Sequence, residues 1–299
     1  MTDNEYLAKK LEEQTLQKGG VELTDLEKRG DEVKTLLENH FSDSSPKIKY
    51  GGSKAKGTMI KEAYDLDIIC YFPRDDEDAG GTLKEIYENT EAALQGSYRV
   101  ERKASALRLR DKAGDEPGQD FQIDVVPGRY IDGKTGDVFI YQHAAEKERL
   151  KTNLEKHISH VRDSGVADPI RLMKLWRCRN GLTIKNFVLE LLIIDLLSGK
   201  KANTLTSQLS HVWKKFRDDS ENLSVTDPAN ENNDLSELLK SGVRSQLSSV
   251  AGSTLNLIET SGWEAVFGKL EDSGTGDEKK EKLRAAVAAV SRPTKPWAG

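Results

Sequence analysis

The chain has 299 residues, 36% of them hydrophobic and 32% charged, with a formal net charge of −5. That length is enough to bury a core in one large domain or two smaller ones, and the mild acidity excludes a passive nucleic-acid coat, so any bound polyanion needs a local basic patch. The longest apolar run, Phe187 to Leu197, is too short to span a bilayer and carries Glu190 and Asp195, so it reads as a buried helix and no membrane role is expected.

The opening residues, MTDNEYLAKKLEEQ, hold acids and no apolar stretch, so neither a secretory signal nor a transit peptide is expected. Residues from about Thr2 to Asn39 have helical composition, with Leu23, Leu26, Val33, Leu36 and Leu37 near helical spacing and Thr24 or Asp25 available as a cap. A short strand follows at Lys47 to Tyr50, then Gly51-Gly52-Ser53 and a helical turn. Leu66 to Phe72 is β-prone and closed by Pro73. Leu83, Ile86, Tyr87 and Leu94 mark an amphipathic helix between Thr82 and Leu94. Ala104 to Arg110 and Phe121 to Val126 read as paired strands around the turn-rich Gly114 to Gly118.

Beyond about Ala144 the strand signal nearly vanishes. Asp168-Pro169 is read as cap and first residue of a helix that Gly181 ends, and Phe187 to Leu197 is apolar on all sides, as a central helix should be. Arg217 to Asp234 is polar and loop-like, helical segments follow from Leu235 to Glu259, and a charged loop from Glu271 to Lys280 precedes a last helix, Lys282 to Val290. The expected class is α+β: an N-terminal lobe with a mixed sheet over residues 1–150 and a helical C-terminal lobe over residues 151–299. Cys70 and Cys178 sit in apolar segments, as reduced thiols of a cytoplasmic protein would.

Phosphoryl transfer from a triphosphate needs cations on the phosphate oxygens and carboxylates to hold them. Asp65 and Asp67, two positions apart on a strand, point to one face while Leu66 and Ile68 point to the core. On the later strand Ile123 and Val125 share one face, which leaves Asp124 on the other. Gly52 and Ser53 form a turn that a phosphate can approach closely, and Lys54, Lys56 and Thr58 follow at the start of the presumed helix. Four other features carry bland readings. Glu190 is a buried charge to be paired by Arg177 or Lys185. His157 and His160 lack the companions of a zinc site. Arg99, Arg102, Lys103, Arg108 and Arg110 form a solvated strand face. The loop with Asp227 and Asn230 is a connector or the back wall of a pocket.

The order Gly52-Ser53, eleven residues, Asp65-x-Asp67, then Asp124 on a separate strand resembles the nucleotidyltransferase pattern of the DNA polymerase beta superfamily. Arg171 to Arg177, Ile184 to Leu192 and Asp227-Pro228-Ala229-Asn230-Glu231-Asn232-Asn233 resemble blocks of the oligoadenylate synthases and, more closely, of the bacterial cGAS/DncV-like nucleotidyltransferases (CD-NTases), the cyclic-oligonucleotide synthases of antiphage signalling. The matching blocks span about Lys49 to Phe267. The resemblance implies a template-independent enzyme that joins nucleoside triphosphates, ATP among them, into a cyclic di- or trinucleotide and releases pyrophosphate. It implies two Mg²⁺ ions, replaceable by Mn²⁺, on Asp65, Asp67 and Asp124, a catalytic role for the N-terminal lobe, a first helix that packs across both lobes, and an active site in the cleft between them. Gly52 and Ser53 match the phosphate-binding pair and Lys174 the lysine that contacts the triphosphate. Asn186 stands where relatives often have Ser, Phe187 where they often have Tyr beside the donor base, and Asp227 in the pocket element. A monomer is expected, with no obligatory nucleic acid and with regulatory or effector proteins as possible partners; the alternative product is a linear 2′-5′ oligoadenylate, or a nucleotide added to RNA or protein. The zinc insertion of the animal double-stranded DNA sensor is absent from the sequence.

Overall fold

The computed structural model describes residues 1–112, 123–143 and 148–271. Helix α1 (Asp3–Glu13) opens on a capping box in which Thr2 and Glu5 bond each other's backbone N–H. Helix α2 (Val21–His40) starts at Gly20 with no side-chain cap, and not at Thr24 or Asp25 as the sequence reading has it; the earlier start adds Leu23 to the apolar stripe of Leu26, Val33 and Leu37. Strand β1 (Lys47–Tyr50), the five-residue helix α3 (Gly52–Lys56) and strand β2 (Leu66–Phe72) follow. Helix α4 (Leu83–Gln95) repeats the capping box with Thr82 and Glu85. Then come β3 (Tyr98–Arg102), β4 (Leu107–Asp111), β5 (Ile123–Tyr130), β6 (Val138–Tyr141) and β7 (Arg149–Thr152).

These seven strands form one mixed sheet. Its spine runs β1-β2-β5-β4-β3, with β6 on β5 and β7 on β6. Only β2 and β5 run parallel, paired from Leu66↔Ile123 to Phe72↔Arg129. The other edge of β5 is shared: β4 covers Ile123 to Val125 and β6 covers Gly128 to Tyr130. Pro127 falls in the gap between those partners, where a central strand can spare an N–H. Leu66, Ile68, Cys70 and Phe72 face a core shared with α2 and α4, whereas Ile69 and Tyr71 face the smaller core of Val138 and Ile140.

The C-terminal half is helical: α5 (Leu154–Arg162), α6 (Ala167–Arg179), α7 (Asn186–Leu196), α8 (Leu205–Asp219), α9 (Ser241–Ser261) and α10 (Trp263–Phe267). Its core stacks Trp176, Trp213, Phe216, Trp263 and Phe267. Tyr6, Leu7 and Leu11 of α1 bury into that same core, while Gln14, just past α1, accepts from Lys61 N through its carbonyl and bonds Glu62 through its side chain.

The sequence reading needs correcting at several elements. Helix α6 is capped at Val166, with Asp168 and Pro169 already inside its first turn, and it ends at Asn180 before Gly181, whose φ of +60° turns the chain away. The polar stretch after Arg217 is not loop throughout: it finishes α8 and then forms a two-stranded hairpin, β8 (Thr226–Asp227) and β9 (Asn230–Asp234). Strands β3, β6 and β7 were not expected. The turn at 114–118, Phe121 and the expected last helix at 282–290 lie outside the described residues.

No helix among the described residues is long and apolar enough to cross a membrane. Both cysteines are free, and burial pushes the Cys70 thiol up to about 12.

Candidate active site

The parallel register sets Asp67 directly opposite Asp124. Both strands alternate, so both carboxylates stand on the face turned away from the main core. Asp65 comes just before β2 begins, not within it. Burial, then the charges of Asp65 and Asp124, push the Asp67 carboxyl up to about 7. Burial and then Asp124 raise Asp65 as well. Three acids thus share one poorly solvated space, and their mutual repulsion calls for a cation.

One cation is built in. Arg108 lies opposite Asp124 on β4 and grips it with two hydrogen bonds, Nε to Oδ1 at 2.8 Å and Nη2 to Oδ2 at 2.7 Å. The sequence reading left Arg108 among a solvated basic face; the cross-strand register makes it the partner of the third aspartate. No group of three or more His, Cys, Asp or Glu among the described residues is arranged to hold a metal.

The turn before α3 touches β2. Gly51 N donates to Asp67 O at 2.8 Å, which brings Gly52 over the Asp67 side chain. Gly52 has φ +52°, and a Cβ there would overlap the Asp67 carboxylate, with Asp67 Cβ only 3.0 Å away. A side chain is therefore excluded twice, by conformation and by space. Ser53 Oγ is buried and has no hydrogen-bond partner among the described residues, an orphan that asks for an external partner. Helix α3, at five residues, is too short to add the helix-end field expected from the sequence.

Behind the turn lies a buried ionic cluster. Glu190 of α7 is 2% exposed, Lys174 of α6 4% and Lys56 of α3 8%. Glu190 Oε2 takes Lys56 Nζ at 2.8 Å, and Oε1 takes Lys174 Nζ at 2.5 Å and Thr58 Oγ1 at 2.9 Å. The expected partners are otherwise engaged or elsewhere: Arg177 Nε donates to Ile184 O, and Lys185 caps α7 in an exposed position. Burial alone would raise the Glu190 carboxyl, but Lys174 and Lys56 outweigh it and hold it below its usual range. Burial likewise depresses Lys174 against the pull of Glu190.

Next to Gly52 and Lys56 opens a cleft of about 290 Å³, lined further by Thr152, His157, Phe187 and Asp227. His157 Nε2 bonds Asp227 Oδ1 at 2.7 Å, and its ring lies 4.7 Å from that of Phe187. Asp227 also accepts from Ala229 N and Asn233 Nδ2, which makes it the anchor of the hairpin. Lys56 Nζ sits 4.6 Å over the Phe187 ring. Asn186 is exposed at the start of α7 and does not line this cleft. His157 was read as a structural residue; its sequence neighbourhood carried no signal, because its partners arrive from α7 and β8.

No protein-family model matches the chain, and no curated protein matches it in sequence. Its three-dimensional arrangement is nonetheless well represented among solved structures: the chain has the fold of the cGAS/DncV-like nucleotidyltransferases, with a mixed sheet beside a helical half. It is similar to CdnG of Bradyrhizobium diazoefficiens in complex with GTP, at 13% identity over 98% of this chain and 99% of that one, with a TM-score of 0.69. It is similar also to Escherichia coli MS115-1 CdnC in its complex with HORMA-deltaN, at 17% identity over 91% and 99%, TM-score 0.68. The Vibrio cholerae DncV cyclic AMP-GMP synthase aligns at 14% identity over 91% and 86%, TM-score 0.58.

Proposed function

We propose that this chain is a template-independent nucleotidyltransferase that joins nucleoside triphosphates, ATP among them, into a cyclic di- or trinucleotide with release of pyrophosphate. The observation that carries the reading is the in-register pair Asp67 and Asp124 beside a Gly52 with no room for a Cβ. Supporting it are the orphaned Ser53 hydroxyl and the fold shared with synthases of cyclic nucleotides. In this reading residues 1–150 form the catalytic lobe, residues 151–299 the helical lobe, and the cleft between them is the nucleotide pocket.

The donor set fits hard divalent ions, since Asp65, Asp67 and Asp124 offer only carboxylate oxygens. Asp65 and Asp67 would hold Mg²⁺ or Mn²⁺, joined by Asp124 once Arg108 lets go. When bound, such ions offset phosphate charge and acidify a coordinated hydroxyl. The chain's own residues do the rest. Gly52 allows the phosphates close to the backbone and Ser53 donates its hydroxyl to a phosphate oxygen. Lys56 lines the cleft beside them, and Glu190 and Lys174 lie buried behind it. Phe187 offers a face for the base, with Asn186 at its rim, and Asp227 holds His157 upright against it. Asp124 orients the acceptor hydroxyl and takes its proton. A role in antiphage signalling, a cytoplasmic monomer and a protein regulator are part of the same proposal; the similar CdnC is found with a HORMA partner.

The test is incubation with the four nucleoside triphosphates and Mg²⁺, followed by phosphatase and mass spectrometry. A phosphatase-resistant product supports the cycle. A sensitive ladder supports linear oligonucleotides, and a chain that neither forms product from nor binds any of the four triphosphates removes the reading. Gly52→Ala should cost at least about 10²-fold in rate by displacing the Asp67 carboxylate, but only about 1–3 kcal/mol in stability from the positive φ, measured by turnover and urea unfolding on the same preparation.

A further inference from the structure

The three charges of the buried cluster are not equivalent. Lys174 Nζ has three acceptors, Glu190 Oε1 at 2.5 Å, Thr58 Oγ1 at 2.8 Å and Thr58 O at 3.2 Å, and an ammonium has three N–H groups. Those oxygens surround it, and it does not line the cleft. Lys56 Nζ has Glu190 Oε2 as its one hydrogen-bond partner among the described residues, lines the cleft, and lies over the Phe187 ring. Two of its N–H groups are left for something arriving from the cleft. The charges also divide. Glu190 and Lys174 cancel, which leaves the charge of Lys56 in excess.

Resting on the nucleotide-binding reading above, we infer that Lys56, and not Lys174, presents the positive charge that meets the phosphates of the bound nucleotide, while Lys174 and Glu190 form a neutral pair that holds it in place. Lys56 is then a binding residue. Lys174 and Glu190 are positioning residues: Lys174 cancels the carboxylate that would otherwise neutralise Lys56, and Thr58 fixes both from the same loop. Lys56 reaches the cleft from the Gly52-Ser53 turn itself, three residues beyond Ser53. The phosphate-facing groups thus come from one continuous segment, 52–56.

The experiment is calorimetric titration of α,β-methylene-ATP with Mg²⁺ into the full chain, with adenosine as a phosphate-free control measured by competition. Lys56→Met should weaken α,β-methylene-ATP at least tenfold, as loss of a charge-assisted bond does, and leave adenosine within about twofold. The Lys174→Met, Glu190→Gln double variant removes one charge of each sign and should keep the affinity for α,β-methylene-ATP within about threefold of the parent. Loss of tenfold or more in a cooperatively unfolding double variant, with Lys56→Met close to the parent, would hand the contact to Lys174 and overturn the assignment. Equal weakening of adenosine and α,β-methylene-ATP by Lys56→Met would make Lys56 merely structural and overturns it too, whether or not the double variant folds. A parent protein that binds neither probe defeats the nucleotide reading itself, a result distinct from both.

Discussion

Asp67→Asn should reduce nucleotidyl transfer at least about 10³-fold, about 4 kcal/mol of transition-state stabilisation, and at the same time make the metal-free protein more stable. The two effects have one cause. Asp67 is crowded by burial, Asp65 and Asp124, which lift its carboxyl from 3.8 to about 7. A carboxyl raised on folding favours its protonated form, so its contribution to stability is greatest below pH 3.8 and is lost as pH rises toward 7. Unfolding of the metal-free parent should therefore show stability falling across that window. Asp67→Asn should flatten the fall and raise Tm near pH 7.5 by on the order of 5 °C. Saturating Mg²⁺ should restore stability to the parent and do little for the variant. Thermal scans from pH 4 to pH 8, with and without Mg²⁺, measure all of this. An Asp67→Asn protein that retains activity, or one less stable than the parent at pH 7.5, contradicts the electrostatic description of the site.

Glu190→Leu should be the most destabilising single replacement in the ionic cluster, costing about 3–5 kcal/mol and lowering Tm by on the order of 10 °C. The side chain is 2% exposed and its removal leaves two ammonium groups facing each other without their shared carboxylate. Its pH dependence runs opposite to that of Asp67. The Glu190 carboxyl is held below 4.5 in the fold, so its contribution is present above that pH and disappears as acid is added. The cycle Glu190→Gln, Lys174→Met and the double variant, followed by chemical unfolding, should be strongly non-additive. The double variant should be more stable than Glu190→Gln alone, because one of the stranded charges is gone; strict additivity would mean the three groups are not a unit.

Which parts of this were legible in the sequence follows from where the physics is local. Thr82 and Glu85, three residues apart, make their cap from neighbouring chain, and the helix they open was readable. The alternation of Leu66, Ile68 and Cys70 against Asp67 and Ile69 gave the faces of β2 directly. Strand β7 reads Arg-Leu-Lys-Thr and β9 reads Asn-Glu-Asn-Asn-Asp; neither carries an apolar period, because each forms an edge whose order comes from its partner. The same distinction governs the site. Asp65, Asp67, Gly52 and Ser53 lie within sixteen residues and could be grouped by spacing. Arg108 is tied to Asp124 by register alone, His157 finds Asp227 seventy positions away, and Glu190 draws its lysine partners from α3 and α6 in place of the nearby Lys185. The alternating arginines of β4 look like a solvated face until the strand opposite is known.

The central claim is that Asp65, Asp67 and Asp124 gather divalent cations beside the Gly52-Ser53 turn, with Arg108 occupying Asp124 until they arrive. Anomalous diffraction from crystals grown with Mn²⁺ and α,β-methylene-ATP tests it most directly. The account predicts manganese density against the carboxylates of Asp65 and Asp67, with the two Arg108 hydrogen bonds to Asp124 broken. Manganese held elsewhere, with Arg108 still gripping Asp124 and the nucleotide away from Ser53, would contradict it.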